Sequence, residues 1–168
     1  SLNLNSNEVT VAGGSTDAIA VDSGGGDSGT ATLNSTIVEG GEQSISGIGL
    51  DTELDVIVDG GSINATQGGI NTTGEGRAGE LLSISNVDLT NIASTGITAQ
   101  DNGTSTTVDI DGITIDSSSS ASGILVVDGD SAPASVDINN VDINDTDVGV
   151  DFRDGSTDTK DFTLTSST

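Results

Sequence analysis

The sequence predicts an all-β protein in which short parallel strands stack as a solenoid. Three observations lead to this fold class. Apolar residues recur in alternating pairs about every 26 residues. Residues that favour turns follow each pair at the same position, and no segment keeps the period of an amphipathic helix. Such a period through a chain of 168 residues is typical of stacked repeats.

The first strand of each repeat is marked by two apolar residues with one residue between them. This alternation is the signature of a strand with one buried face. The pairs are Leu2 and Leu4, Ala31 and Leu33, Val56 and Val58, Leu82 and Ile84, Val108 and Ile110, Val136 and Ile138, and Phe162 and Leu164.

A corner follows the first strand, and a second strand follows the corner. The corner residues are Asn5-Ser6, Asn34-Ser35, Asp59-Gly60, Ser85-Asn86, Asp111-Gly112, Asn139-Asn140 and Thr165-Ser166. These residue types tolerate positive φ or bond to their own backbone. The second strand is marked by Val9, Val38, Ile63, Leu89, Ile115 and Ile143, with Val87, Ile113 and Val141 added in the fourth to sixth repeats.

A third strand begins with a small residue followed by an apolar residue. These pairs are Ala18-Ile19, Gly47-Ile48, Gly69-Ile70, Gly96-Ile97, Gly123-Ile124 and Gly149-Val150. Loops rich in Gly and Asp follow in most repeats, as in residues 22–29, 73–80 and 101–106. Variable loop lengths are tolerated there because they do not disturb the core.

The whole chain, residues 1–168, is therefore predicted to be one domain. It contains six full turns that start near residues 2, 31, 56, 82, 108 and 136, and a partial turn of one strand at 162. A β-sandwich is the alternative, since it also uses short strands and turns. A sandwich, however, gives no reason for matching residues at one period.

Composition excludes several functions. The formal charge is −24, from 27 acidic and three basic residues. A surface this negative repels nucleic acid and anionic lipid. No apolar run reaches the roughly 18 residues of a membrane helix, so direct membrane insertion is not expected. The chain begins with Ser1 rather than Met, which favours a processed product or a piece of a longer protein.

Turns of this length with aliphatic columns and a tight Asn/Gly/Ser corner resemble the right-handed parallel β-helix. That superfold includes enzymes similar to pectate lyase, autotransporter passengers, haemagglutinin-type adhesins and phage tailspikes. The resemblance covers nearly the whole chain and implies the fold, including its handedness. It does not imply one function, because the same solenoid carries enzymes and inert stalks.

Catalysis is not expected, and no catalytic residue is assigned. Enzymes of the resembled superfold that cleave polysaccharides use carboxylates with basic residues or aromatic sugar platforms, whereas this chain has three basic residues and no Trp or Tyr. Calcium is the candidate cofactor, because carboxylate oxygens suit this ion. The candidate ligands are Asp128, Asp130, Asp145, Asp147 and Asp154. The other interpretation is that these aspartates only form turns and a solvated surface.

The two ends of the solenoid are the candidate interface. Leu2 and Leu4 begin the chain at the same phase as Phe162 and Leu164 near its end, and an unpaired terminal strand is usually covered. We therefore expect a structural module of an extracellular or cell-surface filament, surface layer or adhesin stalk. Its partners would be copies of itself or neighbouring modules of the same polypeptide. The alternative is a carbohydrate-binding or carbohydrate-active domain, such as an adhesin, a phage tail, a polysaccharide lyase or a glycoside hydrolase, with glycans as ligands.

Overall fold

A computed structural model describes residues 1–5, 7–10, 17–22, 29–39, 46–52, 54–65, 67–74, 81–101, 107–118, 122–128, 135–154 and 161–165. Within these ranges every regular element is a β-strand. The strands are short and rich in Val, Ile, Leu and Thr, which pack well on a pleated surface.

Two sheets contain all the strands of the described residues. The first sheet holds β1 (Leu2–Asn5), β2 (Glu8–Thr10), β4 (Thr30–Glu39), β6 (Asp55–Asn64), β8 (Leu81–Ile92), β10 (Thr107–Asp111), β11 (Thr114–Ser117), β13 (Ser135–Asn139), β14 (Asp142–Asn144) and β16 (Asp161–Thr165). The second sheet holds β3 (Ile19–Asp22), β5 (Ser46–Thr52), β7 (Gly68–Gly74), β9 (Thr95–Asp101), β12 (Ser122–Asp128) and β15 (Val148–Asp154).

The pairing of these strands confirms the predicted solenoid. Each described pair is parallel, and the residues that share a column in the sequence are partners in the sheets. In the first column, for example, Val56 pairs with Leu82, which pairs with Val108. The second sheet stacks β3, β5, β7, β9, β12 and β15 in chain order. A β-sandwich is built from antiparallel strands, so this alternative is wrong.

The core is a set of aliphatic columns that run along the solenoid axis. The side chains of Ile84, Ile110 and Ile138 stack in adjacent rungs and are fully buried. The second and third strands contribute equivalent columns, such as Leu89 with Ile115 and Ile97 with Ile124. One strand cannot enclose its own apolar face, so each rung depends on its neighbours for burial.

The corner after the first strand has the predicted backbone conformation. Its second residue has a positive φ of 49° at Ser35, 72° at Gly60, 55° at Asn86, 65° at Gly112 and 51° at Asn140. One left-handed residue bends the chain between the first and second strands. In β4, β6 and β8 this bend does not interrupt the strand, whereas it separates β10 from β11 and β13 from β14. The sequence predicted a corner between two strands in every turn, and in these three rungs one residue makes the corner while the pairing continues on both sides of it.

The loops in which the sequence placed most of the length variation, at 22–29, 73–80 and 101–106, lie almost wholly outside the described residues. No helix in the described ranges is long and apolar enough to cross a membrane.

Candidate functional site: the ends of the solenoid

The two ends of the core differ from its middle in exposure. Leu2, in the first rung, is 38% exposed, and Leu4 is partly buried. At the other end Phe162 is 42% and Leu164 is 49% exposed. In the middle rungs the equivalent residues are buried. The four residues predicted as an interface are therefore the terminal members of two core columns.

The C-terminal end also contains a residue that the sequence did not single out for the interface. The ring of Phe152, in β15, packs against that of Phe162, in β16, with centroids 5.4 Å apart and planes tilted by 50°. Tilted aromatic pairs of this kind are favourable. Phe152 and Phe162 are the only aromatic residues of the chain, which is the sequence signal that connects them.

The two sheets do not end in the same rung at this end. The first sheet reaches β16, which pairs with β13, whereas the second sheet ends at β15 in the rung below. The shorter strand β14 pairs with β11 in the described residues. Among the described residues, the first sheet therefore extends one strand further than the second sheet at this end.

A column of polar side chains follows the first corner along the outside of the solenoid. Asn86 Nδ2 and Ser85 Oγ both donate to Asp59 Oδ1 at 2.9 Å. The same contact recurs from Asn140 Nδ2 to Asp111 Oδ1 at 2.8 Å. The donors on Asn86 and, to a lesser degree, Ser85 hold the pKa of the Asp59 carboxyl below its usual range. These contacts join adjacent rungs on the outside of the solenoid. Asn86 and Asn140 also have the positive φ of the corner, so the same residue bends the chain and bonds to the adjacent rung.

The candidate calcium ligands are only partly described. Asp145 and Asp147 are exposed in the turn between β14 and β15, and Asp145 has a φ of 57°. Asp128 and Asp154 are Cα partners at the ends of β12 and β15, but their side chains and the whole of Asp130 lie outside the described part. Among the described residues no three Asp or Glu side chains are grouped closely enough to hold a metal ion. Calcium binding stays a prediction.

The described basic residue is engaged by a neighbouring carboxylate. Arg153 donates from Nε at 2.9 Å and from Nη2 at 2.6 Å to the same oxygen of Asp151. Arg77 and Lys160 lie outside the described residues. This ion pair lies within β15 and is exposed to solvent.

A shallow groove of about 280 Å³ lies on the outer face of the second sheet. Gln67, Gly68, Ile70, Asn71, Ser94, Thr95 and Thr98 line it. Its polar groups are amides and hydroxyls, and no charged residue is among these lining residues. In a chain with a charge of −24, this groove is a neutral hydrogen-bonding surface.

Comparisons with protein-family models, curated proteins and solved structures found no match to this chain.

Proposed function

We propose that this chain is a non-catalytic structural module of an extracellular filament, surface layer or adhesin stalk, joined end to end with copies of itself or with neighbouring modules. The observation that carries the proposal is the exposure of core columns at both ends. Leu2 at one end and Phe162 and Leu164 at the other are 38–49% exposed. Burying these residues against a further rung would extend the existing core without a new kind of interface.

The distribution of charge supports association through the ends rather than the sides. Outward-facing carboxylates occupy adjacent rungs on the lateral surface, as with Asp109 and Asp137, which are Cα partners. Two such surfaces repel each other, while the apolar ends attract. A contact between two different ends does not close on itself, so repetition produces a filament. With strands about 4.8 Å apart, the seven rungs of one unit span roughly 29 Å and contribute roughly 34 Å to the axis of a continuous filament.

The test is the association state of the purified chain, measured by sedimentation velocity and electron microscopy over a range of protein, salt and calcium concentrations. We expect concentration-dependent association and filaments with an axial repeat of roughly 34 Å. Leu164→Asp should abolish association by placing a charge at the end of the core. A chain that stays monomeric under all these conditions would overturn self-association.

Ile37→Asp provides the matched control for Leu164→Asp. Ile37 is 39% exposed, but it lies on the lateral surface in β4, where it pairs with Glu8 and Ser62. Both substitutions add one negative charge to an exposed aliphatic position. Association should survive in Ile37→Asp and disappear in Leu164→Asp. Equal losses would mean that net charge, rather than the end surface, controls association.

The neutral groove supports a second candidate, which is the binding of a carbohydrate. Amides such as those of Gln67 and Asn71, with the hydroxyl of Thr98, bond readily to sugar hydroxyls. The negative charge of the chain disfavours acidic polysaccharides, so a neutral glycan is the expected ligand. Titration with a panel of neutral and acidic oligosaccharides tests this. Binding of neutral members that is lost in Asn71→Ala supports it, and no binding removes it.

A further inference from the structure

The outer face of the second sheet differs in charge from the other faces of the solenoid. Outward residues alternate with buried ones along each strand, as Thr98 does between Ile97 and Ala99. In the third to sixth rungs the described outward residues form three columns: Gly68, Thr95, Ser122 and Val148; Asn71, Thr98, Leu125 and Asp151; and Gln100, Val127 and Arg153. These three columns form the neutral face, because the charges of Asp151 and Arg153 cancel in an ion pair.

The first and second strands of the same rungs carry aspartates at their outward positions. These residues are Asp59, Asp109, Asp111 and Asp137 in the first strands and Asp88, Asp116 and Asp142 in the second strands. Two copies that each have a charge of −24 repel each other through such surfaces. Among the described residues, the neutral face is the lateral surface that lacks this barrier. Asp101, Asp128 and Asp154 end the strands beside it, and their side chains lie outside the described part.

We propose that the neutral face binds the same face of a second copy, with the two solenoid axes antiparallel. This lateral contact goes beyond the end-to-end contact of the proposed function and does not depend on it. A two-fold axis parallel to the strands places each column opposite itself and reverses the order of the rungs. The third rung then faces the sixth, and the fourth faces the fifth. Both copies use the same surface, so the contact closes as a pair.

The residues that meet in this arrangement fit each other in shape and charge. Val148, which is 42% exposed, faces Gly68, which has no side chain and lines the groove of about 280 Å³. Asp151 faces Asn71, whose side-chain amide can donate to a carboxylate. The protruding residue and the acidic residue of the sixth rung each face a residue of the third rung that accommodates them.

The charge of Asp151 disfavours the other two-fold arrangement. An axis parallel to the solenoid axis would place each rung opposite itself, so Asp151 of one copy would face Asp151 of the other. Like charges opposed across an interface weaken association. The charge pattern of the neutral face therefore selects the antiparallel pair.

The size of the neutral face limits the strength of the contact. Four strands span about 19 Å along the axis and seven residues span about 23 Å across it, which gives a footprint of roughly 400 Å² for each copy. Stable complexes bury about 800 Å² for each partner, so this contact should be weak, with a Kd on the order of 1 mM. Aspartates beside the face add a repulsion that salt screens.

A contact of this strength can be measured by nuclear magnetic resonance. Amide spectra of isotope-labelled Leu164→Asp, which keeps the neutral face and lacks the end-to-end contact, are recorded from about 0.05 to 2 mM protein in about 1 M salt. We expect amide shifts at Gly68, Thr98 and Val148 that grow with protein concentration, and none at Asp109 on the first sheet. A spectrum that does not change with concentration would overturn the lateral contact.

Thr98→Asp and Thr114→Asp are matched variants. Both threonines are half-buried outward residues of strands, but Thr98 lies on the neutral face and Thr114 lies in β11 of the first sheet. Thr98→Asp would place a charge against Leu125 of the second copy and should raise the Kd by about tenfold or more. Thr114→Asp should leave the Kd nearly unchanged. Equal weakening would mean that net charge, not the neutral face, controls association.

A spin label tests the antiparallel order. The chain has no Cys, so Gln67→Cys provides a single labelling position at the third rung. The spin-labelled chain is mixed with an isotope-labelled chain that carries no spin label. We expect broadening of the Val148 and Gly149 amides of the isotope-labelled chain, because the third rung faces the sixth. Broadening confined to residues 67–74 would overturn the antiparallel pair.

The failure of this proposal can be distinguished from the failure of the proposed function. Filaments that Leu164→Asp abolishes, without concentration-dependent shifts on the neutral face, would support end-to-end assembly and overturn the lateral contact. Such shifts in a chain that forms no filaments would support the lateral contact and overturn only end-to-end assembly. If a neutral oligosaccharide shifts the amides of the neutral face while protein concentration does not, this face binds a glycan and the second copy is wrong.

Discussion

Replacing Ile110 by alanine removes three carbons from the middle of an enclosed column. Ile110 is 0% exposed and lies between Ile84 and Ile138, which are equally buried. At about 0.8 kcal/mol for each buried carbon, the loss of burial is about 2.4 kcal/mol. The cavity that remains raises the loss in free energy of unfolding to about 3–4 kcal/mol. The column cannot collapse easily, because each side chain is held by strands paired on both sides.

Leu164→Ala is the control, since it removes three carbons from the end of the same column. Leu164 is 49% exposed, so the lost burial should lower the free energy of unfolding by about half as much, roughly 1.2 kcal/mol. No enclosed cavity remains to add to this loss. Urea unfolding of the monomer at one fixed salt concentration, followed by far-ultraviolet circular dichroism, measures both values. The chain has no Trp or Tyr, so intrinsic fluorescence is of little use. Equal losses in the two variants, or a loss below about 1 kcal/mol for Ile110→Ala, would refute the enclosed-column argument.

Four other predictions follow from particular contacts. Replacing glycine by alanine in a strand ordinarily stabilises a protein by about 0.5–1 kcal/mol. In Gly96→Ala the new methyl group would overlap the carbonyl oxygen of Gly123 and the side chain of Ile115, so we expect the free energy of unfolding to fall by about 1–3 kcal/mol and the melting temperature to decrease. Asn86→Ala removes a donor to Asp59, whose pKa is lowered in the folded chain. The stabilisation from this lowered pKa is present above the ordinary Asp pKa of about 3.9 and is lost as pH falls through the lowered value, so the variant should lose less stability than wild type between pH 6 and pH 2. Asn86→Gly, in which glycine adopts the positive φ easily, should show the same reduced pH dependence with a smaller loss of stability at neutral pH. If the pH dependence is unchanged in both variants, Asp59 is not its source. Raising salt from about 0.1 M to 1 M shortens the Debye length from about 10 Å to 3 Å, so the melting temperature of this strongly acidic chain should rise, and a fall would contradict self-repulsion. Calcium titration should release or absorb heat and raise the melting temperature; if neither occurs, the predicted calcium ligands are only surface aspartates.

The columns of the solenoid could be predicted because they depend on local chemistry. An apolar pair separated by one residue places both side chains on one face of a strand wherever it occurs. Asn86 and Gly112 could be assigned to a corner because their residue types adopt positive φ, which both show at 55° and 65°. Repetition then indicated which strands pair, since like residues stack on like.

The candidate site was predictable in part. The exposure of Leu164 follows from its place in the last strand, which is visible in the sequence. The sequence shows that Phe152 and Phe162 are the only aromatic residues, but this signal does not place them in contact, because they belong to different strands and different sheets. The groove around Asn71 and Thr98 was also missed, since its residues carry no motif and meet only across adjacent rungs.

The sequence by itself determined the repeat, the strands, the corner and the acidic surface of this protein, because each depends on residue type and spacing along one strand. The tertiary structure alone decided what lies above each residue. A methyl group on Gly123 would overlap the carbonyl oxygen of Gly149 and Cγ2 of Ile143, which belong to the next rung. The sequence could not show this enclosure, because spacing along the chain does not specify the distance between atoms of adjacent rungs.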